Sequence, residues 1–133
     1  MATDSFAISL SGLELQRLTV DTIAKNIANS TKTFSNIKDV YKPLEVIASN
    51  NSNIHMNGIE NISITERSID PKRVYDPTHP YADDDGFIYK PAVDSVEEMV
   101  SLMSAVRSYQ ANIQALEASK KIIQWTIDMS SKS

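Results

Sequence analysis

The sequence contains no cysteine and only three glycines in 133 residues. Without thiols the chain can form no disulfide bond, no thiolate metal site and no cysteine nucleophile. Three scattered glycines cannot build a Gly-rich phosphate-binding loop, and no serine stands in a nucleophile-elbow context. We therefore predict that the protein is not an enzyme and that it binds neither a cofactor nor a small-molecule substrate.

Basic residues are also few, because 13 Lys and Arg stand against 17 Asp and Glu. Nucleic-acid binding requires a clustered basic face, so we do not expect it. No apolar run approaches the roughly 20 residues of a membrane span. The N-terminus lacks the basic region and the long apolar region of a secretory signal. We expect a protein that is cytoplasmic, or that leaves the cell by a route needing no cleaved signal.

Metal binding is not expected either. The only histidines are His55 and His79, and neither has a partner at metal-ligand spacing. The run Asp83-Asp84-Asp85-Gly86 resembles part of a calcium loop. If Gly86 took the sixth position of such a loop, the first and twelfth positions would be Tyr81 and Ala92, which lack the required carboxylates. The run therefore predicts an acidic turn.

The longest periodic stretch covers residues 94–129 and predicts a helix about 50 Å long. Asp94 and Ser95 can cap its start, with Glu97 and Glu98 placed as in a capping box. Its apolar residues recur in alternating steps of three and four, with Lys120 as the one polar interruption, which is a heptad pattern. This predicted seam comprises Met99, Leu102, Val106, Tyr109, Ile113, Leu116, Ile123 and Ile127.

A matching stripe lies at the N-terminus, where Thr3, Asp4 and Ser5 can cap a helix that runs to about Asn29. Its seam positions are Phe6, Leu10, Leu13, Val20, Ala24 and Ile27, and Gly12 suggests close approach of a neighbouring helix. The two stripes predict that the terminal helices pack side by side as a coiled-coil-like pair. The predicted fold is mainly α, with a small β-rich or extended insertion between the helices.

The second face of the C-terminal helix carries almost no charge, since Arg107 is the only charged residue between Glu98 and Glu117. Solvated helix faces usually carry Lys and Glu. The pattern indicates either contact with other protein or a weakly charged surface. Trp125 is either core filler or an interface anchor. The candidate subunit contacts are Asn26, Asn29, Ser101, Ser104, Ser108, Gln110, Asn112, Gln114 and Trp125.

The middle of the chain, residues 32–91, holds all five prolines. Residues 32–42 predict an extended, partly mobile linker. Short strands are predicted at 44–47, 62–64 and 87–89, with a short apolar segment at 54–56. Turns are predicted at 50–53, 57–58, 70–71, 76–77 and 83–86. The insertion should therefore contain two to four short strands and have too few core residues to be stable alone.

Three stretches carry more specific motifs. The first runs from Ser11-Gly12-Leu13 to Asn26-Ile27-Ala28-Asn29, and the third runs from Glu98-Met99-Val100 through Ser108-Tyr109-Gln110-Ala111-Asn112. The second is the most specific and includes Tyr75, Asp76, Pro77, His79, Pro80, Asp83 and Gly86. Together these stretches resemble the proximal rod proteins of the bacterial flagellar basal body. The chain departs from the family after Asn29, where a Thr-Pro-Gly-like turn is common, and residues 44–68 match only loosely.

The resemblance implies a structural subunit of a helical rod that crosses the periplasm and transmits torque. It implies export, without cleavage, through the flagellar type III apparatus. Residues 1–31 and 92–133 would form the inner helical domain, and residues 32–91 the insertion. The expected partners are further copies of the chain, other proximal and distal rod proteins, and the membrane-ring adapter protein. The alternative is a dimeric, cytoplasmic helical adaptor or secretion chaperone.

Overall fold

The computed structural model describes residues 2–49 and 61–133, with side chains from residue 5 onward. Two long helices, α1 (Ala2–Asn29) and α2 (Ser95–Ser131), enclose the insertion in sequence. The insertion contains a short 3-10 helix (Ile37–Asp39) and the strands β1 (Leu44–Ser49), β2 (Asn61–Glu66), β3 (Lys72–Tyr75) and β4 (Phe87–Lys90). The predicted mainly α fold with a small β-containing insertion is confirmed at this level.

Polar residues mark the start of α2 and the end of α1. Asp94 caps α2, because its Oδ1 accepts hydrogen bonds from the backbone N of Val96 (2.9 Å) and of Glu97 (3.3 Å). The helix α1 ends at Asn29 as predicted. It already begins at Ala2, so the predicted capping residues at positions 3–5 lie inside the helix and not before it.

The two helices run antiparallel and pack against each other. Ser95 Oγ, at the start of α2, donates a hydrogen bond to Ser30 Oγ, just after the end of α1 (3.1 Å). Farther along the pair, a Cβ added to Gly12 would lie 3.2 Å from Asn112 Nδ2. Gly12 therefore allows the close helix approach that the sequence suggested.

Because α2 is nine residues longer than α1 (37 against 28), the pair has one uneven end. The start of α2 is level with the end of α1, so the surplus lies at the C-terminus. At about 1.5 Å per residue, residues 123–131 extend roughly 14 Å past α1. We call residues 123–131 the overhang, and all of them except the half-buried Ile123 are exposed.

The four strands form two separate antiparallel pairs. β1 pairs with β2, placing Leu44 opposite Glu66, and β3 pairs with β4, placing Tyr75 opposite Phe87. The strands predicted at 44–47, 62–64 and 87–89 are confirmed within β1, β2 and β4. β3 was not predicted, because its four residues are all exposed and show no apolar alternation. The features predicted at 50–53, 54–56 and 57–58 lie outside the described residues.

Residues 32–42 are attached to the rest of the fold and include the 3-10 helix, so they form only in part the extended linker that the sequence predicts. Phe34 and Tyr89 exchange two backbone hydrogen bonds of 2.9 Å, which add a bridge beside β4. Asn36 caps the 3-10 helix by accepting from the backbone N of Lys38 (3.0 Å). Val40 is buried, so the end of this segment contributes to the core.

The core is small and lies where the helix pair meets the insertion. Among the described side chains, the buried aliphatic residues are Ile23, Val40, Ile88, Val93 and Ala105, and Pro43 and Pro91 are also fully buried. Most of the length of both helices therefore lies outside a conventional core. None of the described helices is long and apolar enough to cross a membrane.

Candidate functional site

The predicted seam is only partly buried in the single chain. Eight of its residues are half-buried, namely Leu13, Val20, Ile27, Leu102, Tyr109, Ile113, Leu116 and Ile123. Five others and the additional stripe position Ala24 are exposed, namely Phe6, Leu10, Ala24, Met99, Val106 and Ile127. The structure thus brings about half of the predicted positions into the helix interface.

The register of the contact explains this division. The buried or half-buried line of α2 runs through Glu98, Leu102, Ala105, Tyr109, Asn112, Leu116, Ser119 and Ile123. Every second member belongs to the predicted seam. Of the remaining members, Glu98, Ala105 and Asn112 each precede a predicted seam residue by one position, and Ser119 precedes the polar interruption Lys120. All four are small or polar. Since Ala and Ser permit closer approach than Met or Val, the small line faces α1, while Met99 and Val106 are exposed.

Predicted seam residues that are exposed or only half-buried line one side of the helix pair. Leu10 and Leu13 of α1 lie beside Tyr109 of α2 in a shallow groove, and Val20 lies beside Val106 in its continuation. Leu10 is 53% exposed. This side therefore presents an apolar surface that none of the described residues covers.

The opposite side of the pair carries a second groove, of about 450 Å³, which we call the small-residue groove. Its walls include Thr19 and Ile23 from α1 and Ser101, Ser104, Ala105 and Ser108 from α2. In the described part of the chain, no charged side chain lines this groove. Ser101 and Ser104, predicted to lie outward, are exposed, whereas Ser108 and Asn112 are half-buried.

The other candidate contact residues also differ in exposure. Gln110, Gln114 and Trp125 are exposed, and Trp125 retains 67% of its accessible surface. Asn29 is half-buried, and its Nδ2 donates to the backbone O of Lys25 (2.7 Å). Asn26 has no exposed surface at all, so its side chain acts within the chain and not, as the sequence suggested, at the surface.

Asn26 lies at the centre of a buried polar junction between α1, β1 and α2. Its Oδ1 accepts hydrogen bonds from Tyr41 Oη and from the backbone N of Leu44, both at 2.9 Å. Its Nδ2 donates to the backbone O of Leu44 (2.9 Å) and to Glu98 Oε2 (3.4 Å). The amide thus pairs with Leu44 as a neighbouring strand would and fixes the start of β1 on α1.

Glu98 completes this junction from α2. Its carboxylate is almost fully buried, and its Oε1 accepts a hydrogen bond of 2.7 Å from Arg67 Nη1, just after β2. Glu98 was predicted as a capping residue and instead joins the insertion to both helices. Burial raises the pKa of Tyr41, and the negative charge of Glu98 raises it further. The sequence offered no periodic signal that distinguished Glu98 from the neighbouring Glu97.

The predicted acidic turn is confirmed and is held by Asp83. The Oδ1 of Asp83 accepts from the backbone N of Phe87 (2.8 Å) and of Asp85 (3.1 Å), while Tyr89 Oη donates to Oδ2 (3.2 Å). These hydrogen bonds, that from Phe87 foremost, hold the pKa of Asp83 below its usual value. Gly86 has a φ of 81°, which a side chain would strain.

The rest of the resembling block forms the preceding turns. Thr78 Oγ1 donates to Asp76 Oδ1 (2.8 Å), and the backbone N of Tyr81 donates to His79 Nδ1 (3.1 Å). The backbone N of Asp76 donates to Gly86 O (3.0 Å), so the two turns support each other. In the described part of the chain no three acidic or histidine side chains converge as metal ligands would.

Comparison with known proteins places this architecture in a family. Residues 84–129 match the family model described as the C-terminal region of flagellar basal body rod FlgEFG proteins. The flagellar basal-body rod protein FlgC of Bacillus subtilis is 31% identical, over 96% of this chain and 97% of the relative. FlgC of Aquifex aeolicus is 34% identical over 91% of each chain, and FlgC of Salmonella typhimurium is 33% identical over 93% and 94%. The chain belongs to the FlgC family of flagellar basal-body rod proteins and is a structural basal-body protein, not an enzyme.

Proposed function

We propose that this chain polymerises into the proximal rod of the flagellum, the shaft that transmits torque across the periplasm. The main support for this proposal is the large accessible surface area of the single chain. Its accessible area is 9684 Å², whereas a compact monomer of 14.8 kDa would expose about 7,000 Å². A rod-shaped chain with so much surface is suited to bury it against neighbouring subunits.

The chemistry of that surface supports assembly. Large apolar side chains that are at least half exposed occur on both helices, including Ile8, Leu10, Met99, Met103, Trp125 and Met129. Monomeric soluble proteins seldom leave long apolar strips uncovered, and such strips mark interaction surfaces. Neighbouring subunits would supply the missing cover and stiffen the rod, as torque transmission requires.

In this proposal residues 1–31 and 92–133 form the inner helical domain, paired in a coiled-coil-like manner, and residues 32–91 form an outer insertion. The Asn26–Glu98–Arg67 junction supports this division, because it attaches the insertion to both helices at one end of the pair. The remaining length of the helices stays available to neighbours. The proposed neighbours are further copies, other proximal and distal rod proteins, and the membrane-ring adapter protein.

The small core also supports the proposed export through the flagellar type III apparatus without a cleaved signal. A chain that buries few apolar side chains alone is only marginally stable and unfolds at low cost. Folding would then be completed by subunit contacts, since binding partners stabilise the folded state by mass action. The assembled rod would thus be far more stable than the exported monomer.

Complementation tests the proposal. The chain is expressed in a flagellated strain that lacks its own copy, and detergent-resistant basal bodies are purified. We expect restored motility and the chain in the basal-body fraction. Recovery of the chain only from the soluble cytoplasm, together with complete basal bodies, would support the alternative adaptor or chaperone role instead.

A further inference from the structure

The overhang presents an uncovered apolar face together with the residue before it. Ile122, Trp125 and Met129 are 59%, 67% and 74% exposed. Their spacing of three and four residues places them on one face of α2. Between Lys121 and Lys132 the only charge is Asp128. This end of the helix therefore has the composition of a buried surface, and no described residue covers it.

The same helix face continues back towards the start of α2 with small residues only. In steps of three and four, the face comprises Ser101, Ser104, Ser108, Ala111, Ala115 and Ala118, followed by Ile122, Trp125 and Met129. The first three serines form one wall of the small-residue groove, which Thr19 and Ile23 of α1 close on the other side. One face of α2 thus carries a recess near one end and protruding side chains at the other.

The helix segments that carry the recess and the protrusion match in length, and each has a single charged residue, which in the first segment lies outside the groove lining. Residues 101–108 and 122–129 each span eight residues, or roughly 11 Å of helix. Their apolar or small positions recur at identical spacing and are separated by 21 residues, which is three heptads. Arg107 is the only charged residue of the first segment, and Asp128 is the only one of the second. The two segments carry single charges of opposite sign.

We propose that residues 122–129 of one copy dock in the small-residue groove of a second copy, with the two α2 helices parallel and displaced by 21 residues, about 32 Å. This inference rests on the proposed function and identifies the contact between copies. Recess and protrusion are different surfaces of the same chain, so the contact is head-to-tail. In a docked pair, the recess of one copy and the protrusion of the other stay free. Contacts of this kind propagate into open helical assemblies and do not stop at a dimer.

The other side of the helix pair is a poorer recipient. Its groove is bordered by Glu14, Arg17 and Asp21 in addition to apolar side chains. Covering it with the overhang would remove water from charged groups without supplying partners for all of them. Among the described residues no charged side chain lines the small-residue groove, so docking there leaves no charge of the groove without a partner.

Cysteine cross-linking tests this contact, because the native chain has no cysteine. The variant Ser108→Cys/Met129→Cys is expressed in the complementing strain, and purified basal bodies are oxidised. Within one chain the two positions are about 32 Å apart along the helix, whereas disulfide-bonded Cα atoms lie within about 7 Å. Every disulfide is therefore between chains, and we expect dimers and higher multimers on a non-reducing gel.

Two matched variants define the alternatives. Ser101→Cys/Met129→Cys would cross-link if the helices docked antiparallel, and Val106→Cys/Met129→Cys if the overhang covered the opposite side. Multimers from either of these in place of the Ser108 pair would overturn the proposal. Basal bodies that contain the chain but yield no Ser108–Met129 disulfide would also overturn it, while leaving the proposed function intact. Absence of even the cysteine-free chain from basal bodies would count against the proposed function itself.

If the double variant does not enter basal bodies, coexpressed single variants provide the same test. Ser108→Cys chains should cross-link to Met129→Cys chains, and neither should cross-link to itself, because the contact joins two different surfaces. Self-linking of either single variant at an equal yield would indicate a symmetric contact and would overturn the head-to-tail arrangement.

Discussion

Arg67 and Glu98 form an ion pair of 2.7 Å that joins the end of β2 to the first turn of α2. The two partners differ in exposure, because 31% of the Arg67 side chain and only 4% of the Glu98 side chain reach solvent. Glu98 also accepts from Asn26, so one buried carboxylate connects α1, α2 and the insertion. Stability of the single chain should therefore depend strongly on this junction and weakly on the exposed helix faces.

Removing Arg67 tests the junction. Arg67→Ala leaves the Glu98 carboxylate buried without its cationic partner and should lower the free energy of unfolding by about 2 kcal/mol. Glu98→Gln removes the charge, and adding it to Arg67→Ala should recover part of the loss. Urea unfolding followed by far-UV circular dichroism measures each variant. Strictly additive effects of the two substitutions would show that the residues do not interact.

Asn26 offers a second test, because it is fully buried and uses both ends of its amide. Asn26→Ala leaves both backbone groups of Leu44 without their side-chain partner and should cost about 3 kcal/mol in urea unfolding. Asn26→Asp loses the donor to Glu98 and places two carboxylates together, so it should be at least as damaging. Equal stability of Asn26→Asp and the native chain would contradict the described junction. Asn29→Ala is the matched control, because Asn29 is only half-buried and its side chain donates within α1, so it should cost less stability than Asn26→Ala.

Gly12 tests the spacing of the helices. An added Cβ would meet only the flexible end of the Asn112 side chain, so Gly12→Ala should change stability by less than about 1 kcal/mol, since better helix propensity offsets the tight contact. Gly12→Leu cannot be accommodated without separating the helices and should cost about 1–3 kcal/mol. Thermal unfolding compares the two variants. A Leu variant as stable as the Ala variant would mean that the helices are not in close contact there.

The acidic turn predicts a pH dependence. The pKa of Asp83 is lower in the folded chain than its ordinary value of 3.8, so the ionised carboxylate stabilises the fold above that value. This contribution disappears as the pH falls through the lower, folded-state pKa. Asp83→Asn should therefore be less stable than the native chain at neutral pH, and the difference should shrink below pH 3.8. Urea midpoints at decreasing pH measure it, and a constant difference would exclude the charge as the cause.

Much of the helical architecture could be predicted from the sequence, because its determinants are local. Asp94 caps α2 as expected, and the polar residues after Ile27 end α1. The helix register could not be predicted in the same way. Periodicity places the largest apolar residues at the interface, whereas packing brings Ala105 and Asn112 against α1 so that the backbones can approach. The two candidate interface lines of α2 differ by one residue, and which of them faces α1 depends on the packing of the partner helix.

The structure of the insertion could likewise be predicted only in part. The strands with alternating Ile and Val residues could be found from their pattern, but β3 exists because Val74 and Tyr75 pair with β4 through backbone hydrogen bonds. The role of Glu98 depends on Arg67, which lies 31 positions earlier. Such long-range pairs have no local signature, so the junction that fixes the insertion could not be predicted from the sequence.

We expect neighbouring subunits to cover the helix faces that are exposed in the single chain. Alkylation of Met129→Cys measures this most directly, because the variant contains one cysteine and Met129 is 74% exposed. Rates are compared for the purified monomer, for basal bodies that contain the variant, and for the same basal bodies after dissociation. We predict rapid labelling of the monomer, strong protection in the assembled rod and renewed labelling after dissociation. Equally rapid labelling in all three samples would contradict the account.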